Sequence, residues 1–150
     1  MIIIQGNSFI ADSEFRPKIQ RCLSLLIHCA KDDGYLYINK YNLKIRAARA
    51  SGANFGDKSI DIARATFDAS DTWLASVLVH EAVHFQQRKE RRYQATVADE
   101  REANSYQLEI LRKLGAPSNE ITHLQQQTGT HADLNGDGIY DDADYQMRNY

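Results

Sequence analysis

The chain has 150 residues, of which 43% are hydrophobic and 25% charged, and its formal net charge is −2. A chain of this size and composition forms one ordinary globular domain, which excludes an intrinsically disordered protein. A net charge so close to zero gives no reason to expect a nucleic acid or an anionic membrane as a partner, and no apolar run reaches membrane-spanning length. We expect a monomer.

The first part of the chain predicts a short strand followed by a long helix. Residues 1–5 have strand composition, and Ser13 is a candidate N-cap for a helix that reaches residue 30. The apolar residues of this helix recur at helical spacing and would face a core. They include Cys22 and Cys29, which we therefore expect to be buried. We expect both to be free thiols, because seven residues of helix span about 10 Å, which exceeds the reach of a disulfide.

A β-rich stretch is predicted next, and three helices follow it. The run Asp32-Asp33-Gly34 should end the first helix. A loop is predicted over 51–57, and the predicted strands are 35–39, 43–49 and 58–67. The three later helices have candidate N-caps at Asp71, Thr96 and Ser118.

The run His80-Glu81-Ala82-Val83-His84 is the strongest functional signal. On a helix, residues four apart lie one above the other on the same face, so the two imidazoles can each point one nitrogen at a single ion. Glu81 would then lie beside the open position of that ion, where a carboxylate can take a proton from a zinc-activated water. The residues around the motif are uncharged, which indicates a buried helix, and buried histidines need a partner.

A catalytic zinc keeps three protein ligands and one open site, so a third ligand is needed. The next predicted helix offers Asp99, Glu100, Glu102 and Glu109. At about 100° per residue, Glu100 shares a side with Leu111, whereas Glu102 and Glu109 lie on the opposite, polar side. Because a carboxylate on the packed side of a helix is costly unless it is paired or bound to a metal, we choose Glu100.

With His80-Glu81-x-x-His84 on one helix and Glu100-Arg101-Glu102-Ala103-Asn104 on the next, the chain resembles the gluzincin zinc metallopeptidases over residues 58–114. Its compact size resembles the minigluzincins. The resemblance implies zinc bound by the two histidines and Glu100, with Glu81 as the general base. It also implies that Asn104 stands where the family has an Asp that orients a zinc-bound imidazole, and an amide brings no negative charge to that position.

The same resemblance implies a peptide-binding edge strand and an oxyanion donor. The strand predicted over 58–67 would be the sheet edge along which a peptide adds by β-augmentation. A downstream His, Tyr or Arg usually stabilises the oxyanion in gluzincins, and the sequence does not choose among His123, His131 and Tyr140. The expected fold is α+β, a small zincin-like domain with a twisted, mostly antiparallel sheet packed on an N-terminal helix and two zinc-binding helices.

A second metal site is predicted near the C-terminus. Residues 133–144 fit the 12-residue loop of an EF-hand, with Gly138 at the position of the sharp turn. The segment resembles a dockerin-type calcium loop, and a single loop of this kind would pin the C-terminus rather than signal. The predicted calcium ligands are Asp133, Asn135, Asp137, Ile139 (through its carbonyl), Asp141 and Asp144.

The sequence thus predicts a zinc-dependent endopeptidase that acts on a peptide or protein substrate. We assign 1–117 to a zincin-like domain and 118–150 to a C-terminal helix and calcium loop packed as part of the same domain. A calcium loop of modest affinity favours secretion or delivery outside the cell, although no signal peptide is visible. Two alternatives stay open: a non-catalytic interaction module stabilised by zinc and calcium, and a delivered effector or toxin peptidase with one protein target.

Overall fold

The structure is a computed structural model, and it describes residues 1–127. These residues form six helices and one four-stranded sheet, which confirms the α+β fold. A π-helical turn, Lys31–Tyr35, joins the first two helices. In chain order the elements are β1 (Ile3–Gln5), α1 (Asp12–Cys29), α2 (Leu36–Lys40), β2 (Lys44–Ala47), β3 (Gly52–Asn54), β4 (Ser59–Ile62), α3 (Arg64–Phe67), α4 (Asp71–Lys89), α5 (Val97–Lys113) and α6 (Ser118–Gln126).

The strands of the sheet follow the order β1-β2-β4-β3, and two of the three pairs are parallel. Ile4 lies opposite Ile45, and Ile45 lies opposite Ile60, whereas β3 runs antiparallel to β4. The expectation of a mostly antiparallel sheet is therefore wrong. For β1 and β2 the physical reason is the helical connection between them, since a crossover of this kind returns the chain to the sheet in the same direction. For β2 and β4 the chain passes β2, forms the outer strand β3 and turns back into β4 between the two.

The predicted edge strand over 58–67 is instead an internal strand. β4 pairs with β2 on one side and with β3 on the other, and it ends at Ile62 because 64–67 forms the short helix α3. The segment 51–57, predicted as a loop, contains the edge strand β3. Its strand character comes from backbone pairing with β4, with Gly52 opposite Asp61, rather than from its composition.

Residues 35–39, predicted as a strand, are helical. The run at 32–34 does not end the helical region either, because the chain continues through the π-helical turn into α2. The ring of Tyr37 lies 6.0 Å from that of Tyr41, one helical turn later, and 5.8 Å from that of Tyr106 on α5. These packing contacts override the strand-like composition.

One of the two N-caps predicted for helices α4 and α5 is confirmed. Ser70, and not Asp71, caps α4, and its Oγ accepts a hydrogen bond from the backbone N–H of Trp73 at 3.0 Å. Thr96 caps α5 as predicted, in a capping box with Asp99. Both helices therefore begin with their first amide groups satisfied.

The remaining predictions for the helices need correction. Ser13 lies inside α1, and Ser118 is the first residue of α6, so neither residue is an N-cap. Cys22 is buried as expected, but Cys29 is exposed. Cys29 is the last residue of α1, and a helical face drifts by about 20° over seven residues, which turns this thiol away from the core.

The core lies between the sheet and helices α1 and α4, with Ile45, Ile60, Leu74 and Leu78 fully buried. Helix α4 is buried along residues 73–85 and also packs against α5. These two helices carry the candidate site. Within residues 1–127, no helix combines the length and apolar content needed to cross a membrane.

Candidate metal centre

Helix α4 presents the two imidazoles and the carboxylate of Glu81 from a buried position. His80 and Glu81 are each 1% exposed, and His84 is 3% exposed. The Nε2 atoms of His80 and His84 lie 3.2 Å apart, as expected for side chains one helical turn from each other. The helix thus holds two ring nitrogens side by side in a dry environment.

Helix α5 brings a carboxylate to the same two nitrogens. The Oε2 atom of Glu100 lies 3.2 Å from His80 Nε2, and Oε1 lies 3.4 Å from His84 Nε2. Glu100 is 1% exposed, and it lies in the first turn of α5, whose start is set by the capping box. The structure therefore brings together the three side chains that the sequence selected, and this buried group could hold a metal ion.

A proton can occupy this group when no metal is bound. Burial of the His84 ring opposes a positive charge, but the hydrogen bond and the charge of Glu100 outweigh it. With smaller contributions from Glu81 and Gln87, they raise the pKa of His84 to about 9. The raised pKa favours a positive charge on the His84 ring beside Glu100.

The pKa of His84 predicts how the metal-free protein depends on pH. A pKa raised above the unfolded value of about 6.5 stabilises the fold fully below pH 6.5, and this contribution is lost as the pH rises through about 9. We expect ¹H–¹⁵N NMR of the metal-free protein to show the His84 ring protonated at pH 7.5. The free energy of unfolding in urea should fall between pH 6.5 and 9. A neutral His84 ring at pH 7.5 would contradict this prediction.

Gln87 orients the His84 ring, and the sequence analysis did not identify it. Its Nε2 donates to the carbonyl of Asp99 at 3.0 Å and to Oε2 of Glu102 at 2.9 Å, so its Oε1 must face His84. His84 Nδ1 lies 2.8 Å from that oxygen and donates its hydrogen to it. With a metal bound, this hydrogen bond would leave the lone pair of His84 Nε2 as the ligand.

Replacing Gln87 should weaken metal binding. We expect Gln87→Leu to lower zinc affinity by about 10- to 100-fold, because the ring loses the acceptor that sets its tautomer and orientation. Competition with a chromophoric chelator measures this affinity. The matched control is Gln86→Leu, since Gln86 is the preceding residue of α4 and bonds to Tyr37 and Glu90 instead. Equal affinities in the two variants would contradict the orienting role of Gln87.

Two buried polar side chains near the centre have unsatisfied atoms. In the part of the chain that the structure describes, no hydrogen-bond partner reaches Glu81 Oε1 or either amide atom of Asn104. A buried polar atom without a partner is costly. Asn104 lies one turn after Glu100 and is 7% exposed, on the packed side of α5 as expected.

Tyr93 is a second neighbour of the centre that the sequence analysis missed. Its ring is half-buried and lies 5.2 Å from the ring of His84 and 5.1 Å from that of Phe55. It belongs to the connection between α4 and α5, where periodicity gives no signal. The one feature of the sequence that could have identified Tyr93 is its position, as an aromatic residue in the short link between the two helices of the candidate centre.

Of the three candidate oxyanion donors, His123 lies among the described residues. The ring of His123 lies 5.3 Å from that of Trp73, which precedes His80 by two helical turns, or about 10 Å. His123 is thus not beside the three metal-binding side chains. The candidates His131 and Tyr140, and the calcium loop at 133–144, lie outside the described residues.

Comparison with models of protein families, with curated proteins and with solved structures finds no match to this chain. The case for a function therefore depends on the residues themselves. Among residues 1–127, the group formed by His80, His84 and Glu100 is the one that offers three metal-binding side chains at mutually close range.

Proposed function

We propose that the protein is a zinc-dependent peptidase, and the triangle of ligand atoms supports this most directly. The two histidine Nε2 atoms lie 3.2 Å apart, and Glu100 approaches them with different oxygens, Oε2 at 3.2 Å from His80 and Oε1 at 3.4 Å from His84. Two ligand atoms bound to a tetrahedral zinc at about 2.0–2.1 Å lie about 3.3 Å apart. The His80–His84 pair and the His80–Glu100 Oε2 pair therefore have the spacing of ligands on a zinc tetrahedron. One ligand atom from each residue lies within 4.8 Å of the others, which supports a three-residue site with a fourth corner for a reactant.

The chemistry of the ligands favours zinc over calcium or magnesium. Calcium and magnesium prefer oxygen ligands, whereas two imidazoles and one carboxylate form a common catalytic zinc set. Calcium is proposed for the loop at 133–144, on the sequence alone. Calorimetric titration of the chain with Ca²⁺ tests that assignment.

Glu81 is the residue proposed to move the proton. Zinc, when bound, lowers the pKa of water towards about 7 and polarises the carbonyl of a peptide bond. Glu81 follows His80 directly on α4, and its buried Oε1 has no partner among the described residues. The carboxylate accepts a proton from the attacking water and then donates it to the leaving amine.

A peptide substrate can add to the sheet at β3. Among the described residues β3 pairs with β4 alone, so its other side can offer backbone groups to an extended peptide. β3 also packs against α4, the helix that carries Glu81. This replaces 58–67 as the proposed peptide-binding strand.

Digestion of casein and of a peptide library, with and without a chelator, tests the proposal. We expect one zinc per chain by mass spectrometry and cleavage that the chelator abolishes and zinc restores. A non-catalytic module would bind zinc and unfold at a lower temperature after chelation, but it would leave both substrates intact. A peptidase dedicated to one protein would also spare casein while cutting a single band in a cell lysate.

A further inference from the structure

A cavity of about 420 Å³ opens beside the edge strand, between the β3–β4 hairpin, the start of β2 and the last turns of α4. We propose that this cavity is a subsite for an acidic side chain of the peptide, an inference that rests on the proposed peptidase function. Its floor is apolar and consists of Tyr41, Leu43, Phe55 and Phe85. Its rim is basic and consists of Lys58, Arg88 and Lys89.

The cavity and the general base share one side of α4. Phe85 lies four residues after Glu81 and Arg88 lies seven residues after it, so the three side chains form one stripe along the helix. At about 1.5 Å of rise per residue, Phe85 lies about 6 Å and Arg88 about 10 Å beyond Glu81 along the axis of α4. An extended peptide covers these distances in about two or three residues.

Ring contacts link the cavity to the metal centre by a second route. The Tyr93 ring touches that of His84, and the Phe55 ring lies 5.1 Å from the rings of both Tyr93 and Phe85. Phe55 also follows the last residue of β3 directly. A peptide aligned on the free side of β3 therefore passes the cavity close to the bond that is cut.

The charge of the rim is available to a ligand. Within the described residues none of Lys58, Arg88 and Lys89 has an ion-pair partner, and no carboxylate lines the cavity. The nearest acidic residue in the hairpin, Asp57, pairs with Arg46 at 2.8 Å. The Arg88 guanidinium lies over the Phe55 ring at 5.5 Å, which keeps it at the mouth of the cavity.

The backbone of Lys58 has a conformation typical of a turn. Its φ is 51°, in the left-handed region that favours glycine. Asn42, Arg91 and Ala95 also have positive φ, so the conformation places Lys58 in the turn of the hairpin and does not by itself mark a site. The lysine supplies a charged side chain to the cavity that a glycine would not supply.

An acidic side chain matches both the apolar floor and the basic rim of the cavity. The methylene groups of a glutamate can contact the aromatic floor while its carboxylate reaches the basic rim. One cation at about 4 Å in water strengthens the binding of a carboxylate about fivefold relative to a neutral amide, and three cations strengthen it more. We therefore expect glutamate to be preferred over glutamine by about tenfold, and lysine to be disfavoured.

Cleavage of a peptide library derived from a proteome, sequenced by mass spectrometry, tests the subsite. Glutamate should exceed glutamine about tenfold at one position within three residues of the cut. Lys58→Gly and Arg88→Gln should each reduce this ratio to about threefold or less. Lys58→Gly removes a strained residue, so its thermal midpoint should equal or exceed that of the wild type. Arg112→Gln is the matched control, because Arg112 is an exposed arginine in the last turn of α5.

A binding measurement accompanies the cleavage profile. A fluorescein-labelled peptide with the preferred glutamate should bind the zinc-loaded Glu81→Gln variant about tenfold more tightly than its glutamine analogue, and less so in high salt. Cleavage with no acidic preference, or a preference that survives both rim substitutions, overturns the subsite and leaves the peptidase intact. Absence of any zinc-dependent cleavage overturns the peptidase and the subsite with it.

Discussion

Substitution Glu81→Gln should lower peptide hydrolysis by about 10³-fold and leave the zinc content of the protein unchanged. The amide has the shape of the carboxylate but cannot accept a proton from water. His80, His84 and Glu100 are untouched, and all three are at least 97% buried in a rigid arrangement between α4 and α5. Initial rates on a cleaved peptide, together with zinc per chain by mass spectrometry, measure the two properties separately.

The control for this substitution is Glu90→Gln. Glu90 lies at the C-terminal end of the same helix, is exposed, and pairs with Arg92, so its loss should change neither rate nor zinc content. Turnover retained in Glu81→Gln would remove Glu81 from the proposed proton transfer. Loss of zinc in that variant would show instead that Glu81 holds the centre together.

Glu100→Gln should lower zinc affinity at least about 100-fold, equivalent to about 2.8 kcal/mol. Glu100 supplies the one negative charge among the three ligands and lies within 3.4 Å of both ring nitrogens. An amide oxygen is a weaker ligand and does not balance the charge of the ion. Hydrolysis at limiting zinc should fall in parallel, and excess zinc should restore part of it if the rest of the site is intact.

Glu109→Gln is the matched control for Glu100. Glu109 lies on the same helix and is exposed, so its substitution should leave zinc affinity as in the wild type. Zinc affinity measured by chelator competition is the readout for both variants. Wild-type affinity in Glu100→Gln would mean that another acidic group completes the centre, and the assignment of the third ligand would be wrong.

The three side chains of the candidate metal centre were predictable because helical geometry relates them to their neighbours on each helix. Residues four apart on one helix share a face whatever the rest of the fold does, and this placed His80 beside His84. The apolar neighbours of Glu100 on its own helix identified the packed side of α5. The structure agrees on both points, with all three side chains buried and within 3.4 Å of one another.

The strands were predicted less well because their conformation depends on partners distant in sequence. Residues 35–39 have strand composition, yet contacts of Tyr37 with Tyr41 and Tyr106 make them helical. Residues 52–54 have weak strand composition, yet pairing with β4 makes them an edge strand. The parallel direction of β1 and β2 likewise follows from the crossover through the helices rather than from any local pattern.

By itself, the amino-acid sequence determined the α+β class, the extent of the long helices and which three side chains form the candidate metal centre. Each of these follows from composition or from the period of one helix. Only the tertiary structure decided that β3 is an edge strand, that Gln87 bonds to His84, that Tyr93 lies against His84, and that a cavity with basic side chains lies beside the last turns of α4. Those features join residues from different elements, and no local periodicity relates one element to another before the chain is packed.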